Sequence, residues 1–232
     1  MSIPRVKVCG ITTPEDAALA ARLGVDAIGV LVGLSHASED ELDPERAGAI
    51  VAGLPPFVAG TLVTHRTTLE DVCRLCRAVR PQVLQLHGGF AMDALPALRE
   101  TFPALRIVTA VHVDGEGTLD EARRVERFVD GVLLDTKTAT RIGGTGITHD
   151  WAISRRVRDA LRVTPVILAG GLTPDNVGRA IAEVRPYAVD VNSGVSVRRG
   201  VKSSELMARF IRAVRESVTH TAQPRDRRDR AR

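Results

Sequence analysis

A thiol, a carboxyl and three late glycine clusters are the residues of this chain whose types and order suggest chemistry. Cys9 follows the β-branched run Val6-Lys7-Val8, and Asp135 follows Leu133-Leu134. A cysteine titrates near about 8.5, so a thiolate base at neutral pH needs a positive or helix-dipole environment. A carboxyl at a strand end, partly desolvated, keeps its proton toward neutrality and can act as a general acid. From spacing alone, a small buried cysteine and a helix-capping aspartate fit these two positions equally well. The glycines stand in Gly143-Gly144-Thr145-Gly146, in Gly170-Gly171 and in Ser193-Gly194. Glycine loops let backbone N–H groups converge on an anion. Three of them in the last third of the chain point to a bound phosphate rather than to tight turns alone.

The elements that must position these residues alternate along the whole chain. Short apolar β-branched runs precede longer Ala-, Arg- and Leu-rich stretches. Val6 to Val8 precedes a helix that Pro14 and Glu15-Asp16 open and Gly24 closes. Further runs begin at Ala27, Phe57, Val83, Arg106, Gly131, Pro165 and Ala188, with helices expected from Pro44, Thr67, Met92, Thr118, Asp150, Pro174 and Lys202. Continuous apolar strands between amphipathic helices imply a parallel sheet buried on both faces. Eight such units predict an α/β fold, a single (β/α)8 TIM barrel over residues 1–218, with 219–232 as a basic disordered tail. An open doubly wound sheet would call for a glycine fingerprint after the first strand, where the chain reads Cys9-Gly10-Ile11-Thr12. In a barrel the site lies at the carboxyl ends of the strands, which is where Cys9, His87 and Asp135 fall.

Composition narrows the partners. The 232 residues carry a net charge of +4, but Thr221 to Arg232 holds five Arg and two Asp, a local +3. The basicity is therefore a property of the tail and gives no basic groove. Aromatics at 3% argue against base-stacking recognition of single strands, so no nucleic-acid partner is expected. No apolar run approaches the roughly 20 residues that span a bilayer, so no membrane partner is expected and the chain reads as cytoplasmic. Three cysteines make no disulfide framework. Cys73-x-x-Cys76 shares a helical face with Leu69 and Val72 and has no second ligand pair, which reads as packing rather than zinc. Trp151 reads as packing at the start of the sixth helix.

Six ordered motifs carry a family resemblance: Val6-Lys7-Val8-Cys9-Gly10-Ile11-Thr12; Gln85-Leu86-His87-Gly88; Leu133-Leu134-Asp135; Gly143-Gly144-Thr145-Gly146 with Asp150-Trp151; Ala169-Gly170-Gly171-Leu172-Thr173-Pro174-Asp175-Asn176-Val177; and Val189-Asp190-Val191-Asn192-Ser193-Gly194-Val195. Over about residues 5 to 217 the chain resembles the phosphoribosylanthranilate isomerases, barrel enzymes of tryptophan biosynthesis. The resemblance implies an Amadori rearrangement of an N-(5-phosphoribosyl) arylamine to a 1-deoxyribulose 5-phosphate. It implies Asp135 as general acid and Cys9 as general base. It implies a phosphorylated small-molecule substrate held by His87, Gly144, Thr145, Gly146, Gly170, Gly171, Asn192, Ser193 and Gly194. No metal and no cofactor is called for, and the family occurs as monomer or homodimer.

The chain also departs from the family's pattern. After the second strand the family usually has an aromatic-Pro-x-Ser-x-Arg segment whose Arg holds the anthranilate carboxylate. Here Gly33 to Glu41 contains no Arg and three acids, Glu39, Asp40 and Glu41. A carboxylate substrate would lose a contact worth about 1.5–3 kcal/mol and meet repulsion from these acids. Thr109 replaces the usual Lys of the fifth strand, His149 the usual Phe before Asp150, and Ser196 the usual Glu of the last motif. The changes cluster on the aglycone side, which raises two alternatives: the same isomerisation on a different N-substituent, in specialised metabolism, or a non-catalytic phosphoribosyl-ligand binder. His36, Arg46 and His149 are candidates for a replacement contact, although His36 reads more simply as a loop residue. His65 and His112, after the third and fifth strands, fall at the pocket mouth.

Overall fold

Eight parallel strands, each hydrogen-bonded to the next and the last to the first, close a barrel in the computed structural model. It describes residues 3–115, 117–136, 148–161 and 163–219. The strands are β1 (Arg5–Val8), β2 (Ala27–Leu31), β3 (Ala59–Thr64), β4 (Val83–Leu86), β5 (Arg106–Val113), β6 (Gly131–Thr136), β7 (Val166–Leu168) and β8 (Ala188–Val191). The helices between and after them are α1 (Pro14–Leu23), α2 (Pro44–Ala52), α3 (Leu69–Val79), α4 (Leu95–Thr101), α5 (Gly117–Glu126), α6 (Trp151–Ala160), α7 (Val177–Val184) and α8 (Ser204–Thr219). The single (β/α)8 barrel expected from the alternation is the fold observed. Among the described residues, no helix is long and apolar enough to cross a membrane.

Strand alternation sorts the core into two shells. Outward-facing residues such as Val6, Val8, Ile28, Leu62, Leu134 and Val189 pack against the helices in one large apolar cluster. Phe210 of α8 is fully buried in that layer. Inward-facing residues form two small clusters, one of Cys9, Leu31, Leu34 and Val63 and one of Val108, Leu133 and Ala169. Between them lie the buried polar side chains Lys7, Gln85 and Asp190. The outer shell holds the barrel together, and truncating one of its leucines, Leu62→Ala for instance, costs about 2–5 kcal/mol. The inner shell is where charge has been admitted.

Helix starts follow local chemistry. Thr13 accepts a hydrogen bond from the Asp16 amide, Pro14 takes the first turn, and Gly24 ends α1 in the left-handed conformation at φ 86°. Other boundaries move from the sequence expectation. The seventh helix begins at Val177 rather than Pro174, because the Asn176 side chain accepts from Thr173 N–H and donates to Gly171 O, holding residues 173–176 in a turn. The last helix begins at Ser204 rather than Lys202, since β9 (Ser196–Arg198) and β10 (Val201–Lys202) form an antiparallel pair over the barrel's carboxyl end. The expected fourth helix opens as a 3-10 turn over Met92–Ala94. β5 runs on to Val113, so His112 lies inside the strand and not after it. Cys73 and Cys76 are buried on α3 with Val72, the packing role expected of them. The tail beyond residue 219 and the glycine loop Gly143-Gly144-Thr145-Gly146 lie outside the described residues.

Candidate active site

The barrel's carboxyl mouth is built from the ends of all eight strands and the loops that follow them. On β1, Lys7 points inward and its Nζ meets Asp190 Oδ2 of β8 at 2.8 Å, with both side chains under 10% exposed. The pairing of β1 with β8, which sets Lys7 opposite Asp190, is the seam that closes the barrel. Burial opposes the Lys7 charge, but the Asp190 carboxylate and Cys9 outweigh it, and the ammonium titrates above its ordinary value. Cys9, two residues on, faces the same interior. Burial pushes its thiol up, Lys7 pulls it down, and Asp190 adds to the rise. The thiol form is favoured at neutral pH, with an ammonium beside it.

Room for this pair comes from Gly29 on the neighbouring strand. A Cβ built there would stand 2.7 Å from Cys9 Sγ and 3.2 Å from Lys7 Cε. The glycine is a space requirement, since its backbone is ordinary strand.

Asp135 sits on β6, and its Oδ1 accepts the Thr136 N–H at 2.7 Å. Burial raises its pKa; the Thr136 amide and His112 oppose this, and Asp190 reinforces it. The carboxyl is therefore biased toward its protonated form. Gly170, at φ 80°, lets the β7 loop close over it. A Cβ at Gly170 would fall 2.6 Å from the Thr136 nitrogen and 2.8 Å from Asp135 Oδ1.

From Asp135 a row of four imidazoles crosses the mouth. His87 Nε2 lies 3.5 Å from Asp135 Oδ2. The rings of His112 and His87, His87 and His65, and His65 and His36 have centroids 5.4, 5.4 and 5.3 Å apart. Burial lowers the His87 pKa to about 3, with His112 and His65 adding to the effect. Burial and then His36 lower that of His65 as well. Like-charged neighbours and desolvation both favour neutral rings.

Opposite this row are the loops after β7 and β8. The N–H groups of Gly170, Gly171, Ser193 and Gly194 have no acceptor among the described residues. Asn192, in contrast, is engaged within the protein. Its Oδ1 accepts from Lys202 Nζ at 2.6 Å, and its Nδ2 donates to Asp40 Oδ2 at 3.1 Å. Lys202 also donates to Asn192 O and to Ser196 Oγ, and burial lowers its pKa. The Asn192 side chain thus ties the β8 loop to the β2 loop instead of standing open as a donor.

Two expectations about the aglycone side change. The acids after β2 do not all face the mouth: Asp40 accepts from Asn192 Nδ2 and from Gly200 N–H, and Glu41 accepts from Leu34 N–H. These donors temper the repulsion expected of Asp40 and Glu41 without removing their charge, which still acts on Lys202 and on His65. His149 is spent internally, with Nδ1 3.0 Å from Thr136 Oγ1 and Nε2 2.6 Å from Ser154 Oγ. Arg46 lies exposed on the first turn of α2, where its N–H is capped by Asp43. Trp151 is buried at the start of α6 with the Arg179 guanidinium 5.0 Å over its ring, the packing role expected.

Lys7, Asp190 and Lys202 were not singled out as site residues by sequence reasoning. The signal was present, for Lys7 and Asp190 are charged residues at inward positions of otherwise apolar strands. Their partners, however, stand 183 positions apart and meet only when the barrel closes.

The comparisons agree with this geometry. The family model described as N-(5'phosphoribosyl)anthranilate (PRA) isomerase matches residues 6–213. An N-(5'-phosphoribosyl)anthranilate isomerase of Methanocella arvoryzae is 45% identical over 211 residues, covering 91% of this chain and 98% of its own. That of Haloferax volcanii is 44% identical over 211 residues, covering 91% and 93%. The solved structure of the phosphoribosyl anthranilate isomerase from Thermotoga maritima superposes with TM-score 0.81 at 36% identity, over 92% of this chain and 99% of its own. A phosphoribosyl anthranilate isomerase solved with reduced 1-(o-carboxyphenylamino)-1-deoxyribulose 5-phosphate superposes with TM-score 0.77 at 33% identity, over 92% and 99%. The chain belongs to the N-(5'-phosphoribosyl)anthranilate isomerase family.

Proposed function

We propose that this chain isomerises N-(5'-phosphoribosyl)anthranilate to 1-(o-carboxyphenylamino)-1-deoxyribulose 5-phosphate, with Asp135 as general acid and Cys9 as general base. The observation that carries the assignment is the contrast at the mouth. A carboxyl that burial biases toward its protonated form stands on β6, and a thiol beside the Lys7 ammonium follows β1.

The phosphate binds at the β7 and β8 loops, through the free N–H groups of Gly170, Gly171, Ser193 and Gly194. The family resemblance adds Gly144, Thr145 and Gly146, which lie outside the described residues, as further phosphate contacts. The ribose then lies across the barrel axis between Asp135 and Cys9. Asp135 gives its proton to the ring oxygen as the C1–O bond breaks, and the arylamine nitrogen supplies electrons to form an iminium. The iminium acidifies C2–H. Cys9 as thiolate takes that proton, giving an enolamine that tautomerises to the ketone. Forming a thiolate in this buried place is costly, and the Lys7 ammonium offsets the cost. Burial also makes the thiolate, once formed, a stronger base. His87 lies next to Asp135 as a neutral ring, so it places no cation there to favour premature loss of the acid's proton. Its Nδ1 lies 3.3 Å from Gln85 Nε2, so the ring is held between Gln85 and Asp135 and reaches the substrate through the acid it adjoins.

The phosphorylated substrate is the partner this reading requires, and the protein works as monomer or homodimer. The loss of anthranilate-type fluorescence on substrate consumption tests the proposal, with Cys9→Ala and Asp135→Asn run in parallel. Both variants are expected to bind the phosphosugar and to lose turnover by about 10²-fold or more. Full activity in either one would remove it from its role.

A further inference from the structure

We propose that His36 and His65 form the subsite that takes the aryl carboxylate of the substrate; this rests on the isomerase reading above. In the closed strand order, β3 and β4 lie across the mouth from β7 and β8. A substrate with its phosphate at the β7 and β8 loops and its sugar between Asp135 and Cys9 therefore extends its aryl group toward the ends of β2, β3 and β4. The side chains waiting there are His36 on the β2 loop and His65 after β3, their rings 5.3 Å apart.

The tautomer of His65 is fixed by its neighbour. Ser35 N–H donates to His65 Nδ1 at 3.3 Å, and Ser35 Oγ lies 2.9 Å from the same atom. A backbone N–H can only donate, so Nδ1 is the acceptor and Nε2 carries the hydrogen. That Nε2–H has no hydrogen-bond partner among the described residues. His36 Nδ1 is buried without a hydrogen-bond partner. A buried polar group left unpaired is costly, and a ligand oxygen that accepts from it recovers the loss. His65 Nε2–H and, in its Nδ1–H tautomer, His36 suit the two oxygens of a carboxylate, and the imidazoles of His65 and His87, stacked with centroids 5.4 Å apart, adjoin the aryl ring bearing it.

Rival occupants and rival cations fit less well. Among the described residues, no three His, Cys, Asp or Glu side chains are arranged to hold a metal ion. Arg66 is the nearest cation of the β3 loop, but its Nε packs 2.8 Å from where a Gly33 Cβ would stand, beside Leu75 of α3. That places it on the helix side of the rim and makes Arg66→Ala a suitable control.

Calorimetry on the full-length protein compares two ligands: reduced 1-(o-carboxyphenylamino)-1-deoxyribulose 5-phosphate and its counterpart lacking the ring carboxylate. Wild type and Arg66→Ala are expected to prefer the carboxylated ligand by about 10- to 100-fold. His36→Ala/His65→Ala is expected to bind both equally while holding the counterpart as tightly as wild type does. The milder His36→Asn/His65→Gln, with amide donors and little change in volume, should restore part of the preference. In kinetics the alanine pair should raise KM by a similar factor and change kcat little. An undiminished preference in the alanine pair, no preference in wild type, or a preference lost in Arg66→Ala would each overturn the subsite. Turnover of N-(5'-phosphoribosyl)anthranilate by wild type, measured alongside, separates that result from failure of the isomerase reading. Without turnover and without binding of either ligand, both fall together.

Discussion

Lys7→Met isolates what the charge at the barrel's seam does. Lys7 and Asp190 are paired at 2.8 Å with both side chains almost fully buried. Asp190 has no spare partner, since its other oxygen, Oδ1, is buried without a hydrogen bond. Removing the ammonium leaves a buried carboxylate uncompensated, a change that costs about 3–5 kcal/mol. Against a total stability of about 5–15 kcal/mol this is a large share. For a chain of this size it corresponds to a melting temperature lower by roughly 6–20 °C. Activity is expected to fall separately, because Lys7 is also the main group that pulls the buried Cys9 thiol down. The double variant Lys7→Met/Asp190→Leu distinguishes the two effects. It removes both charges and is expected to return most of the lost stability, as buried pairs replaced by apolar side chains commonly do. It should not return turnover. Urea unfolding followed by circular dichroism gives the stabilities, and initial rates give the activities. A loss below about 1 kcal/mol in Lys7→Met, the size of an exposed pair, would refute the argument. So would full activity in the double variant.

Three further outcomes follow from the same geometry. Gly29→Ala puts a methyl group 2.7 Å from Cys9 Sγ. It should destabilise by about 1–3 kcal/mol, read by calorimetry, and lower kcat more than a distant overpacking variant does. Asp135→Asn should unfold at higher urea than wild type at pH 7 while losing activity. The folded protein raises the Asp135 pKa, so the ionised form costs stability above that raised value. The cost is absent below the unfolded value of about 3.9, and the advantage of Asn should vanish as pH falls toward it. His149 runs in the opposite sense. Its pKa is lowered to about 4 by burial, so the unfolded chain takes up its proton first, and stability is lost as pH falls from about 6.5 toward 4. His149→Gln should flatten that part of the acid unfolding curve, and an unchanged curve would contradict the internal role given to the ring.

The parts of the molecule that were legible in its sequence are those fixed by near neighbours. Pro14, Glu15-Asp16 and Gly24 announce α1 because the signals of helix ends act within a turn. The apolar runs announce strands because both faces of a parallel barrel are buried. Cys9, His87 and Asp135 fall at strand ends for the same reason. The polar interior was less legible because it is assembled by closure. Lys7 meets Asp190 across the β1–β8 seam, and Asn192 gathers Lys202 and Asp40 from two further segments. The four-histidine row draws one ring from each of four successive strand ends, and no local spacing encodes it. The acids after β2 illustrate the limit from the other side. Their number suggested repulsion, whereas the fold turns Asp40 and Glu41 to amide donors.

The central claim is tested most directly by the fluorescence assay for N-(5'-phosphoribosyl)anthranilate consumption on the wild-type chain beside Cys9→Ala and Asp135→Asn. The account predicts turnover by the wild type that each single substitution reduces by about 10²-fold or more, with the folded variants still binding the reduced product analogue. Turnover that survives either substitution, or a folded wild type that binds the analogue and leaves the substrate unchanged, would contradict it.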